Sequence, residues 1–139
     1  VRFHTYNKAM INIKELRIGN IIRHNVKDDE TGGFTEPNED VITEDDMMYF
    51  LAMDEIKSEP VPLNEEWLKR LGFNSKTEIS WASGDAVEFR VFKKGELTYN
   101  SIQNAWWLRG VMDHHYPKYV HQLQNLYFAL TGNELTIKP

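Results

Sequence analysis

The run Lys118 to Ile137, KYVHQLQNLYFALTGNELTI, constrains this chain more than any other segment, because one stretch holds a helix, its stop signal and a strand-like tail. Pro117 disfavours helical geometry at Tyr116 but is compatible with a helix that starts just after it, near Lys118. Tyr119, Val120, Leu123, Leu126, Tyr127 and Leu130 then recur at three- and four-residue steps and form one broad apolar stripe. Gly132 supplies a left-handed C-terminal cap, Asn133 continues the turn, and Glu134 to Lys138 alternates polar and apolar residues as a closing strand does. His121, Gln122, Gln124 and Asn125 fall largely off the stripe, which leaves two readings: a solvated helix face or a polar binding surface.

A second helix is specified at both ends. Asn64 caps it, Glu65 and Glu66 open it, and Lys69 and Arg70 close it, so both charge pairs complement the helix dipole. Leu63 and Leu68 form a hydrophobic staple, and Gly72-Phe73 ends the helix with an apolar contact back to Leu68. Trp67 reads as a packing anchor. Beyond it the period changes to two: Glu78 to Trp81, a Ser83-Gly84-Asp85 turn and Val87 to Phe92 form a hairpin. Lys93 to Glu96 turns the chain into Leu97-Thr98-Tyr99, and Asn104 to Val111, with Trp106-Trp107-Leu108, is a fourth strand. Laying the C-terminal helix across this meander buries its stripe against one sheet face.

The N-terminal part is less regular. Val1 to Ala9 has no periodicity, and Met10 precedes the first patterned segment, so Met10 reads as a natural start. In Ile13 to Val26, Gly19-Asn20 is a turn into the strand-forming pair Ile21-Ile22. Thr43 with Asp46 resembles a capping box, and Met47, Phe50 and Leu51 continue it at helical spacing. Asp54 to Leu63 carries Pro60 and Pro62, which impose an extended connector. The expected class is α+β: a small β-rich, SH3-like N-terminal segment, a short helix, then an antiparallel β-meander packed by the amphipathic C-terminal helix and a final strand. Residues 1–9 form an unpatterned extension and residues 10–139 one domain, with subdomains 10–63 and 64–139.

Composition narrows the chemistry. With 139 residues and no cysteine, the chain is about one domain and has no disulfide, cysteine nucleophile or thiolate metal site. No apolar stretch approaches the roughly 20 residues of a membrane span, and the N-terminus lacks a signal-peptide core. A cytoplasmic protein without membrane association is expected. Net charge is −5, and Asp28 to Asp46 holds nine acidic residues with no lysine or arginine, a surface that repels nucleic-acid phosphates. Asp28, Glu30, Gly33 and Glu39 occupy positions one, three, six and twelve of an EF-hand register, but Gly32 stands at position five and no amphipathic helix precedes it. An exposed loop is the better reading of Asp28 to Pro37.

Three blocks, IKELRIGN at Ile13 to Asn20, PVPLNEEWLKRLGF at Pro60 to Phe73, and KYVHQLQNLYFALTGNELTI at Lys118 to Ile137, together cover 42 of 139 residues. They resemble the signature blocks of a family of small bacterial proteins associated with prophages and other mobile elements. Members of that family typically begin with a methionine just before the first block. The resemblance implies an origin and boundaries, and no activity.

Chemical motifs are sparse. There is no phosphate-binding glycine loop, GxSxG elbow or HExxH helix. Asp113-His114-His115, with His121 close behind, offers imidazoles and a carboxylate suited to zinc or manganese and is reminiscent of a phosphoesterase signature. Adjacent histidines point to opposite sides of a strand, so one ion could take both only in a turn. Two functions are therefore expected. The first is a non-catalytic, cofactor-free module that docks a host or element-encoded protein through Trp106, Trp107, His121, Gln122 and Asn125. The second is a metal-dependent hydrolase using Asp113, His114 and His115.

Overall fold

The computed structural model describes residues 11, 15–25, 38–46 and 57–138. The chain divides into two compact units, one of residues 1–62 with 119–134 and one of residues 63–118 with 135–139. The fold is α+β, with two antiparallel sheets, one of them a five-stranded meander, and a C-terminal helix.

The first unit is built on a three-stranded sheet of β1 (Ile21–Asn25), β2 (Asn38–Val41) and β3 (Lys57–Pro60), with β1 in the centre. Adjacent residues of a strand face opposite ways, yet Ile21 and Ile22 are both buried, so the centre of the sheet is covered on both sides. Ile22 joins Leu16 and Ile42 in one apolar cluster. β3 is longer-range than the connector read from Pro60 and Pro62: it stays extended but pairs with β1, placing Pro60 opposite Ile22. Proline fits there because an edge strand leaves one row of N–H groups unused. Thr43 and Asp46 exchange the reciprocal bonds of a capping box, Asp46 Oδ2 accepting from Thr43 N at 2.9 Å and Thr43 Oγ1 from Asp46 N at 3.2 Å. Residues 44–46 are helical; Met47, Phe50 and Leu51 lie outside the described residues, as do Val1 to Met10 and the Asp28 to Pro37 loop.

The second unit opens with α1 (Glu65–Arg70). Asn64 Oδ1 caps it by accepting from Trp67 N at 2.9 Å, and Phe73 N reaches back to Leu68 O at 3.0 Å over Gly72, whose φ is +87°. Trp67, Leu68, Leu71 and Phe73 are buried. The meander follows in sequence order: β4 (Asn74–Ser80), β5 (Val87–Lys94), β6 (Leu97–Asn100), β7 (Ala105–Leu108) and β8 (Val111–Asp113). The single strand expected from Asn104 to Val111 is thus two. Leu108 pairs with Val111 across Arg109 and Gly110, both at positive φ, the backbone of a mirror-image two-residue turn. Arginine is a rare residue for that conformation, which is why the turn was not legible.

The C-terminal helix, α2 (Val120–Thr131), begins two residues later than expected, with Tyr119 as its N-cap and Gly132 at φ +75° closing it. It belongs to the first unit, where it meets β1, and not to the meander unit. Glu134 to Lys138 joins no sheet. Leu135 is buried in the second unit, and Lys138 N donates to Arg70 O at 2.7 Å. Among the described residues no helix is long and apolar enough to cross a membrane.

Candidate functional site

The polar side of α2 is occupied internally. Gln124, 1% exposed, accepts from Ile21 N at 2.8 Å and donates to Gly19 O at 3.0 Å. Asn125 accepts from Arg17 Nε at 2.8 Å and from Asn20 Nδ2 at 2.9 Å, and donates to Glu15 O. Asn20, fully buried, accepts from Arg17 N at 2.7 Å. Arg17 also pairs with Glu134 at 2.9 Å and lays its guanidinium 4.3 Å over the Phe128 ring. Burial of amides is costly unless each polar atom finds a partner, and here each does. Asn125 therefore fastens the LRIGN turn to the helix, which corrects its expected role as a free binding residue. Gln122 is half-buried and its Oε1 accepts from Tyr119 N at 3.3 Å, an N-terminal capping bond.

His121 is also inside, 1% exposed, stacked on Tyr119 with ring centroids 6.1 Å apart and bound through Nε2 to Glu15 at 3.2 Å. Its Nδ1 is buried with no hydrogen-bond partner among the described residues. Burial lowers the imidazole pKa, and the Glu15 carboxylate opposes that shift only in part. The buried face of α2 is thus rotated from the apolar stripe, taking in His121 and Gln124 beside Val120 and Leu123.

The tryptophan pair separates across the meander. Directly opposed residues share a face, so the register assigns Phe92, Tyr99 and Trp106 to one row. This row is the core. Trp106 is 7% exposed, 5.4 Å from Tyr99 and edge-on to Phe73 at 5.8 Å. α1 lies on the same side, where Glu65 pairs with Arg90. Burial, and the Glu65 charge after it, raise the Tyr99 pKa. Trp106 is therefore a packing residue, a correction to its expected docking role.

Trp107 points the other way. Its row runs Lys93, Thr98, Trp107, Met112, and the neighbouring rows add Val91, Phe89 and Val87. Val87 and Met112 are each 39% exposed, while Phe89, Val91 and Trp107 are half-buried. The indole N–H of Trp107 donates to Gln103 Oε1 at 3.1 Å, which orients the ring. Val87, Phe89, Val91 and Met112 were not singled out from sequence, because alternation alone reveals two faces without telling which is wet.

Asp113, His114 and His115 lie at the end of β8, all exposed. Asp113 Oδ1 accepts from His115 N at 2.7 Å and Tyr116 N at 2.9 Å, and those two bonds hold its carboxyl below its usual pKa. The histidine rings stand 6.5 Å apart. Among the described residues no group of three or more histidine and carboxylate side chains comes together as a metal site.

Compared with known protein families, with curated proteins and with solved structures, the chain gives no match.

Proposed function

We propose that this chain is a non-catalytic protein-interaction module whose docking surface is the outer face of the meander, centred on Trp107. The carrying observation is the set of partly open apolar residues on this face, Trp107 opposite Met112 on β7 and β8, and Val91, Phe89 and Val87 along β5, with Lys93 and Thr98 between the two groups. Aromatic and aliphatic side chains left open on one sheet face, interleaved with polar ones, resemble the make-up of association sites, and a tryptophan already oriented by a hydrogen bond loses little freedom on binding. The three sequence blocks fit the same division of labour: their polar residues build the Arg17, Asn20 and Asn125 network and the α1 caps, leaving the meander surface for recognition. Their resemblance to mobile-element proteins makes a host or element-encoded protein the expected partner. Nucleic acid is a poorer partner for a chain of net charge −5.

The test compares capture from a native host lysate by the natural chain and by a Trp107→Ser, Met112→Ser variant, with circular dichroism confirming that both are folded. A specific protein retained by the first and lost by the second supports the reading. Equal capture, or none, removes it.

A further inference from the structure

We infer that the protein pairs with a second copy of itself along the free edge of β4, joining two meanders into one continuous antiparallel sheet about a two-fold axis at Thr77. The meander has two edges, and they differ. β8 has three residues, and Asp113 immediately folds the following chain into a turn by capping His115 and Tyr116. β4 has seven, pairs with β5 without a bulge, and contains neither proline nor glycine. Every second residue of such a strand turns its N–H and C=O away from its partner, and among the described residues no strand takes them. Natural edges of this length carry a device against pairing; this one carries a pattern that favours pairing with itself.

The pattern is the charge order around Thr77. Lys76 and Glu78 lie on one face of the sheet, with side chains 76% and 43% exposed. Two copies related by an axis through Thr77 bring Lys76 of each opposite Glu78 of the other, two opposite-charge cross-strand pairs in one interface. This register also pairs all seven residues of β4. Because directly opposed residues must share a face, the nearest alternatives centre on Lys76 or Glu78, and each sets like charges against one another at the axis.

The same register covers the apolar residues of the edge. It sets Ile79, 52% exposed, opposite Ser75 of the second copy, and brings Trp81, 67% exposed, level with its Phe73.

The test is sedimentation over a concentration series. A seven-residue edge is smaller than a standard interface, so a reversible dimer is expected. Lys76→Glu and Glu78→Lys each place like charges in both cross-strand pairs and should each weaken self-association on the order of tenfold or more. Mixing those two variants restores opposite charges at both pairs, so the mixture should dimerise as the natural chain does, which two misfolded proteins could not do. Trp107→Ser, on the proposed docking face, should leave the dimer intact. The inference is overturned by a natural chain that stays monomeric to millimolar concentration, by a dimer indifferent to both charge variants, or by a mixture that fails to recover.

Discussion

Arg17 and Asn125 are joined by a 2.8 Å hydrogen bond across 108 residues of chain, the guanidinium Nε donating to the amide oxygen. That oxygen also accepts from the buried Asn20, so one side chain on α2 satisfies two donors of the turn that starts β1. Here a sequence-distant pair, beside the bonds of Gln124 to Ile21 N and Gly19 O, closes the polar side of the first unit's central strand.

Asn125→Ala removes the acceptor for Arg17 and Asn20 together with the donor to the Glu15 carbonyl. Groups left unpartnered in a buried setting cost about 1–3 kcal/mol, so the unfolding free energy should fall by that amount, seen as a lower urea midpoint with an unchanged slope. Gln122→Ala, which deletes one capping bond, should cost about 0.5–1 kcal/mol.

The two adjacent tryptophans should behave as opposites. Trp106→Ala empties a site packed by Phe73 and Tyr99 and should cost about 3–5 kcal/mol in denaturant unfolding. Trp107→Ala removes a half-buried outer ring and should cost about 1 kcal/mol, its effect falling on partner capture.

These contrasts show what local pattern can and cannot carry. The α1 helix was legible from Asn64 to Phe73 because its caps, staple and stop are all set by neighbours in sequence. The meander was legible up to Tyr99, then missed a turn because Arg109 stands where glycine or asparagine is usual. The polar face of α2 was misread for a different reason. His121 and Gln124 are buried, and Asn125 half-buried, against a turn more than a hundred residues away, and periodicity within a helix holds no information about which carbonyls wait opposite it. The face of Trp106 depends likewise on where α1 lands, which no dipeptide reveals.

His121 gives the first unit a pH dependence with a definite sign. Its folded pKa lies below the unfolded value of about 6.5, because burial disfavours the imidazolium more than Glu15 favours it. The unfolded chain therefore binds the proton more readily. This contribution to stability is present above about pH 6.5 and is lost as pH falls toward and through the folded pKa. Unfolding midpoints measured between about pH 8 and about pH 5 should decline. His121→Phe should flatten the decline, and Glu15→Gln, by removing the carboxylate that favours the charged form, should steepen it.

The Arg109-Gly110 turn offers a stabilising change. Both residues occupy the left-handed region, at φ +50° and +82°, where asparagine followed by glycine is the favoured pair and a longer L side chain is strained. Against this, Arg109 forms an ion pair with Glu96 at 2.8 Å, but both partners are exposed and such pairs contribute little. The backbone preference should win. Arg109→Asn is expected to raise the thermal midpoint by about 2 °C, whereas Gly110→Ala, which meets no neighbouring atom and so reports backbone strain alone, should lower stability by about 1 kcal/mol. Thermal melts of the two variants beside the natural chain decide it: if Arg109→Asn melts lower, the Glu96 pair outweighs the turn preference and β7–β8 is held by charge.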